Sequence, residues 1–435
     1  MFRHLSEVHG WFADRRRAQR HVVALTRLDR LEGWSFDPVT NDLRHASGRF
    51  FTVEGLQVET DHREVGSWQQ PIIVQPESGI LGILVKEFGG VPHFLLQAKM
   101  EPGNVNLLQL SPTVQATRSN FTRVHRGGLV PYLDHFLSPR RGRIVFDSLQ
   151  SEQGSWFLGK RNRNMIVETT EDVPARDDFC WLTLEQIGGL LRVDNLVNMD
   201  TRTVLSGLPG AYGGRFGPEG AEERGLHRMA ELLSWFTEEK VTRRLERRRL
   251  PLRAVEGWSV SGGRVVHEEG LYFSVVGVDV EAEGREVSRW SQPMLAPASR
   301  GVVAFLTRAV DGVPHVLVQA RTEAGSRDVL ELGPTVQCAP ENYRRLAAGL
   351  RPRFLDDVLS APPSRVTLDV VHSEEGGRFH HAENRYMAVE ADGVPLDPGG
   401  GFVWMTPEQL GALVRHGGQV NVEARNLLTC LRYLR

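Results

Sequence analysis

The chain is written twice, and that repetition limits its fold more than any other feature of the sequence. Trp11-Phe12 recurs as Trp235-Phe236 and Gly33-Trp34-Ser35 as Gly257-Trp258-Ser259, both 224 residues on. Downstream the spacing becomes 222. Val91-Pro92-His93 returns as Val313-Pro314-His315, and Pro112-Thr113-Val114-Gln115 as Pro334-Thr335-Val336-Gln337. From Val91 to Gln115 there are 14 identities in 25 positions, where unrelated sequences would share about one or two. Ser151-Glu152 and Gly154 pair with Ser373-Glu374 and Gly376, Asn162-Arg163 with Asn384-Arg385, and, after one inserted residue, Asn198 with Asn421 and Arg202 with Arg425. A repeat of this length means two copies of one structural unit. The expected division is a first repeat over 1–206, a Gly/Pro-rich connection over 207–220 and a second repeat over 221–435.

Of the nine tryptophans, eight pair across the duplication: Trp11 with Trp235, Trp34 with Trp258, Trp68 with Trp290 and Trp181 with Trp404. Trp156 has no counterpart. Bulky residues kept in both copies point to shared core and pocket wall.

Composition narrows the class. The 435 residues are 40% hydrophobic and 24% charged, with 52 basic against 54 acidic side chains. This excludes a polyanion-binding or disordered chain. No stretch approaches the roughly 18 apolar residues of a spanning helix, and the first residues lack the apolar core of a signal peptide, so a cytoplasmic protein with no membrane and no nucleic-acid partner is expected. Cys180, Cys338 and Cys430 are odd in number and form no CxxC pair, so they are expected to be core residues rather than disulfides or thiolate ligands.

Within each repeat the pattern is mixed, and the expected class is α/β (α+β), each repeat a mixed sheet flanked by helices. Ile80–Val85, Gly89-Gly90 and His93–Gln97 predict a hairpin, repeated at 302–306, 311–312 and 315–319. Further strands are expected at 144–146 and 165–167, and at 366–368 and 387–389. Thr183 and Thr406 predict helix starts. The stretch 221–250 carries Leu226, Met229, Leu232, Leu233 and Phe236 at helical spacing, and its basic end, 243–249, is expected to be a solvated helix terminus. His93 and His315, each beside a turn proline, are expected to make structural hydrogen bonds.

No HExxH, GxSxG or Walker sequence is present, and no histidines stand at metal-ligand spacing. Chemistry is sought instead in polar residues kept beside turns: Glu101-Pro102-Gly103 with 110–120, Gln150–Gly154 with 160–165, and 198–202. Carboxylate, amide, hydroxyl and guanidinium together suit a diphosphate and a polyhydroxylated ring; the alternative is that they hold loops and caps.

These clusters carry a resemblance. Leu110-Ser111-Pro112-Thr113-Val114-Gln115-Ala116-Thr117, Gln150-Ser151-Glu152-Gln153-Gly154, Asn162-Arg163-Asn164-Met165 and Val197–Arg202 resemble the signatures of the NDP-hexose 2,3-dehydratases of deoxysugar biosynthesis, as do Ser373-Glu374-Glu375-Gly376 and Glu383–Met387 in the second copy. The resemblance covers nearly the whole chain. It implies two tandem Nudix-like domains, a homodimer, a dTDP-linked 4-keto-6-deoxyhexose as substrate, elimination of water across carbons 2 and 3, no metal or redox cofactor, and functional coupling to a downstream 3-ketoreductase. The glutamate-rich metal helix of a Nudix hydrolase is absent from the sequence, which disfavours magnesium-dependent pyrophosphate hydrolysis; a non-catalytic nucleotide-sugar binding protein stays open beside the lyase.

The chemistry requires a base near carbon 3, an acid for departing water and donors to an enolate. Glu152 or Glu101 is the candidate base, and Lys160, Arg161 or His125 the acid or enolate donor. Gln115, Thr117, Asn120, Asn162 and Asn164 are candidate hydroxyl readers, and Trp68 and Trp156 candidate stacking surfaces. Arg123, Gln150, Asn198, Arg202, Trp290, Gln337, Asn342, Tyr343, Glu374, Glu383, Arg385, Asn421 and Arg425 complete the expected substrate contacts. The copies differ at Glu101-Pro102-Gly103 against Glu323-Ala324-Gly325, Ser111 against Gly333, and Ala116-Thr117 against Cys338-Ala339; these differences favour the first repeat as the active one, while Glu374, Glu383 and Arg385 keep the second in contention.

Overall fold

The computed structural model describes residues 2–63, 65–117, 130–137, 142–174, 176–213, 224–282 and 287–433. Each repeat builds a seven-stranded mixed sheet. In the first, strand order is 143–151, 161–168, 80–88, 91–100, 179–183, with 108–112 and 114–116 attached at the flanks. Strands Arg161–Glu168 and Ile80–Phe88 run parallel, and their equivalents Glu383–Glu390 and Gly301–Val310 do the same. The expected hairpins form as Ile80–Phe88 with Val91–Met100 and as Gly301–Val310 with Val313–Arg321. Gly89, Gly90 and Gly312 turn them with positive φ, a backbone region glycine enters without a Cβ clash.

The helix starts also form as expected. Thr183 Oγ1 accepts from Gln186 N at 3.2 Å while Gln186 Oε1 accepts from Thr183 N at 2.9 Å. Thr406 and Gln409 repeat this reciprocal cap, which satisfies N–H groups a helix start leaves open. His93 and His315 bond the carbonyls of Val91 and Val313, as turn-stabilising histidines should.

The basic stretch at 243–249 is not a helix end. The helix stops at Met229–Thr242, and Leu245–Leu250 is a strand. Arg247, Arg248 and Arg249 alternate across it: Arg249 pairs with Glu54 and Arg247 bonds the Ser326 carbonyl. This strand pairs with Thr52–Thr60 of the first repeat. Reciprocally, His21–Thr26 of the first repeat pairs with Phe273–Ala282 of the second. Each five-stranded sheet therefore contains a strand from the other copy.

The repeats are also joined at their centre. Helices Met199–Leu205 and Val422–Tyr433 pack together, with Thr429 Oγ1 donating to Arg202 O at 2.7 Å. The main hydrophobic cluster runs from Val8 and Phe12 through Leu110 and Val204 to Leu332, Leu427 and Tyr433. It mixes residues of both copies. Across this seam Arg202 donates to Ser373 O, and its counterpart Arg425 donates to Ser151 O, both at 2.5 Å and both fully buried. No helix among the described residues is long and apolar enough to cross a membrane.

Two outcomes follow. Residues 1–206 and 221–435 expressed separately are each expected to lack cooperative unfolding, because each five-stranded sheet is missing its exchanged strand and the shared core is halved; co-expression should restore a single sharp transition by circular dichroism. His372, the counterpart of Gln150, is fully buried with its ring 5.8 Å from Tyr386. Burial, then the Arg202 charge, holds its imidazole well below the ordinary range. The unfolded chain takes up a proton near pH 6.5 that the folded chain refuses, so His372 should leave stability intact above about 6.5 and erode it as pH falls below that value. His372→Gln should flatten that slope in pH-dependent urea melts.

Candidate active site

The site is built from both copies because their turn loops cross over. Gly103 N donates to Gly376 O and His381 N to Gly103 O, each at 2.7 Å; in the mirror-image contact Gly325 N donates to Gly154 O at 2.6 Å and Gly159 N to Gly325 O at 2.7 Å. Thus the loop after Glu374 lies on the Glu101 turn, and the loop after Glu152 lies on the Glu323 turn. Only glycine fits this contact. A Cβ on Gly103 would stand 1.7 Å from the Phe379 carbonyl oxygen, and one on Gly325 would stand 1.8 Å from that of Phe157.

At the first of these crossings a cavity of about 1250 Å³ opens, larger than an ordinary small-molecule pocket. Its polar wall holds Lys99, Glu101, Gln115, Glu152, Lys160, Asn162 and Asp200 from the first repeat, with Glu375 and Arg378 from the second; its apolar wall holds Trp34, His45, Phe50 and Phe51. Asn162 sits on the strand Arg161–Glu168, donates to Glu152 Oε1 at 2.7 Å and accepts from Gly79 N at 2.9 Å, so it fixes the Glu152 carboxylate. Glu152 Oε2 is buried with no hydrogen-bond partner in the described structure. Lys160 donates to the Glu77 carbonyl. Gln115 links Lys99, at 3.0 Å, to Glu101, at 2.5 Å. Arg378 lies 4.3 Å above the Phe51 ring and donates Nε to Gln75 at 3.2 Å.

Burying this many charges moves their titrations. Desolvation raises the Glu152 carboxyl, against the pull of Arg425 and Lys160. Desolvation lowers the Lys160 ammonium, against Glu152. Asp200 is pushed well above the carboxylate range by burial and then by Glu101, Glu152 and Glu375. Glu375 is raised to about 7, by burial first and Glu101 second. The wall therefore offers carboxyls that hold protons near neutrality beside a lysine that releases its own more readily. Among the described residues no group of three or more His, Cys, Asp or Glu side chains is placed to hold a metal ion.

The equivalent cluster around Glu323 and Glu374 is filled by donors from both copies. Glu323 Oε1 accepts from Gln337 at 2.8 Å and Ser155 at 2.9 Å; Glu374 accepts from Gln153 at 2.9 Å, Asn384 at 2.7 Å and Tyr386 at 2.6 Å. Among the exchanges that distinguish the crossings are Gln153 against Glu375, Ser155 against Gly377, Trp156 against Arg378, Lys160 against Ala382 and Asn164 against Tyr386. Where the second cluster receives an amide and a hydroxyl, the first receives a carboxyl and a bare glycine.

Of the residues expected to form the site, Glu101, Gln115, Thr117, Glu152, Lys160, Asn162 and Trp290 line the cavity. Asn120, Arg123 and His125 lie outside the described residues. The others serve elsewhere. Trp68 packs beside Ala324 of the second repeat, and the strand that carries Trp290 brings that tryptophan to the first cavity in its place. Trp156 packs on Phe379, 4.4 Å between ring centres. Arg202 and Arg425 are committed to backbone carbonyls across the seam, so they do not meet phosphate. Gln150 donates to Val414 O, and Asn164 to Thr203. Asn198 caps a helix and donates to Ser111, while Asn421 caps the last helix and donates to Gln337. Arg161 is half-buried near Arg327 and Glu331. Asn342 accepts from Tyr272 N, with Tyr343 in the same turn; Glu383 pairs with Arg300 and Asn195, and Arg385 with Asp369. Sequence reasoning passed over Lys99, Asp200, Glu375 and Arg378. Glu375 stood inside a quoted motif, but nothing in the sequence says that its loop crosses to the other copy.

A family model described as NDP-hexose 2,3-dehydratase matches residues 5–208 and 229–431. A dTDP-4-dehydro-6-deoxy-alpha-D-glucopyranose 2,3-dehydratase of Streptomyces violaceoruber is 57% identical over 429 residues, covering 98% of this chain and 96% of that protein. Proteins of the same name from Amycolatopsis orientalis and Saccharopolyspora spinosa are 52% and 50% identical, covering 98% and 99% of this chain and 89% and 91% of their own lengths.

Gly103→Ala should force the second repeat's loop away from the cavity and destabilise the fold by about 1–3 kcal/mol, lowering the melting temperature by a few degrees. Gly10→Ala, with open space around its Cβ in an exposed helix, should be neutral or stabilising. Equal melting temperatures for the two variants would refute the close contact.

Proposed function

We propose that this chain, which belongs to the NDP-hexose 2,3-dehydratase family, removes water across carbons 2 and 3 of a dTDP-linked 4-keto-6-deoxyhexose to give the 3,4-diketo-2,6-dideoxy sugar. The observation that carries this reading is Glu152, buried, oriented by Asn162 and set beside Lys160 on the wall of a cavity large enough for a sugar nucleotide.

The ketone at carbon 4 acidifies the proton on carbon 3. Glu152 accepts that proton through Oε2, the oxygen Asn162 leaves open, and its raised affinity for protons brings it toward the range where a base works best. Charge then develops on the carbon 4 oxygen, which the Lys160 ammonium stabilises in a site of low polarity. Loss of the carbon 2 hydroxyl gives an enol, which becomes the diketone. The aromatic wall of Trp34, His45 and Phe50 accommodates the base, and Lys99 and Arg378 supply positive charge for the diphosphate. Neither hydride transfer nor a metal enters any of these steps. The same reading carries a homodimer, a cytoplasmic location and a 3-ketoreductase that takes the labile product; the family resemblance supports these.

Purified protein incubated with the 4-keto sugar nucleotide, without metal or nicotinamide, should yield a diketone trapped by derivatisation. Glu152→Gln should lower kcat by at least about 100-fold. Glu374→Gln, at the closed crossing, should retain most activity. Substrate that binds by calorimetry yet persists intact with wild-type protein would favour a binding module over a lyase.

A further inference from the structure

Elimination needs a proton for the departing oxygen as well as a base, and in the reading above Glu152 and Lys160 are both occupied. We propose that Glu375, delivered into the first cavity by the second repeat, is the acid that protonates the carbon 2 hydroxyl as it leaves. The inference rests on the dehydratase reading and adds a residue from the opposite copy to it.

Three observations place Glu375 there. It lines the cavity with Glu101 and Glu152. Its Oε1 accepts from Gly377 N at 3.1 Å, while Oε2 is buried with no hydrogen-bond partner in the described structure, the condition of a carboxyl oxygen that awaits a ligand or carries a proton. The internal symmetry supplies the third. Gln153 reaches Glu374 at 2.9 Å in the closed crossing, and Glu375 is the counterpart of Gln153, so it occupies the same place relative to Glu152. An amide there satisfies its neighbour and can give up no proton in catalysis. A carboxyl there makes an acid–carboxylate pair, in which one member holds the proton the other cannot.

Asp200 also lines the cavity and also holds a proton, but its counterpart Glu423 is likewise a buried acid, so Asp200 does not separate the open crossing from the closed one. Glu101, Glu152 and Asp200 face Glu375 with negative or shared charge, and Arg378 and Lys160 with positive charge. Their balance leaves the Glu375 carboxyl titrating at about 7, where a general acid is effective.

The protons balance. Glu152 takes the carbon 3 proton; the carbon 2–oxygen bond breaks as its oxygen takes the Glu375 proton and leaves as water. Tautomerisation returns the Glu152 proton to carbon 2 and passes the enol proton to Glu375, which restores both groups.

The full-length protein with Glu375→Gln is tested on the 4-keto sugar nucleotide and on its 2-deoxy-2-fluoro analogue, whose fluoride leaves without protonation. Dehydration should slow by at least about 100-fold, exchange of the carbon 3 proton in deuterium oxide should persist, and fluoride release should stay within about threefold of wild type. Glu375→Asp, which keeps the proton on a shorter arm, should lose less of the hydroxyl reaction and none of the fluoride reaction. Unimpaired dehydration by Glu375→Gln, or proportional loss of dehydration and fluoride release, would overturn the proposal. Wild-type protein that neither exchanges the carbon 3 proton nor dehydrates the substrate would overturn the dehydratase reading itself, and this inference with it.

Discussion

Everything in this molecule hangs on a reciprocal grip between its two copies. Arg202 holds the carbonyl of Ser373, and Arg425 holds that of Ser151. These carbonyls lie one residue before Glu374 and Glu152, so each guanidinium anchors the strand end from which the other copy's turn loop departs. A buried guanidinium is costly unless it is hydrogen-bonded, and here the bonds each arginine makes to the other copy's backbone aim the loops that cross over. Around this centre the exchanged strands and the glycine contacts repeat the same two-fold relation at larger radius.

Duplication gave the two crossings identical frames, and a few side chains made them unlike. Gln153 and Ser155 fill one crossing with donors, Gln153 to Glu374 Oε2 and Ser155 to Glu323 Oε1. Gly377 and Glu375 withhold those donors from the other. Lys160, against Ala382, then adds a cation to the wall that lost its amide. The result is a cavity whose wall carries two carboxyls, Glu152 and Glu375, each with one oxygen unpartnered in the described structure, the state in which a buried acid keeps an unusual proton affinity.

Local structure was legible in the residues because local rules decide it. Thr183 and Thr406 cap helices through reciprocal bonds within four residues, and the hairpins turn at Gly89-Gly90 and Asp311-Gly312. The exchange was not legible, because comparing a sequence with itself shows which residues correspond and not which residues touch. The stretch 243–249 illustrates this: its arginines suit a helix end by charge, but alternate side chains find Glu54 and Ser326 across the exchanged sheet. Arg202 and Arg425 suit substrate contacts by type, and only the folded structure shows that backbone carbonyls claim them. Glu101, Gln115, Glu152, Lys160 and Asn162 were found because they stand beside turns in both or one of the copies, whereas Lys99 looked like an ordinary Lys/Arg exchange with Arg321 and Arg378 had only a tryptophan as its counterpart.

The exchanged strand His21–Thr26 has a consequence for how the chain is made. Its partner, Phe273–Ala282, is translated roughly 250 residues later, which at about 5–20 residues per second is on the order of ten to fifty seconds. During that interval the nascent chain carries a strand whose Val23, packed against the shared core in the finished fold, has no sheet to receive it. The first copy, although fully translated, also waits for Leu245–Leu250 to complete its own sheet. Neither half can be finished in the order in which it is synthesised, so the interval of greatest exposure to aggregation falls on the ribosome and ends only when the second copy emerges.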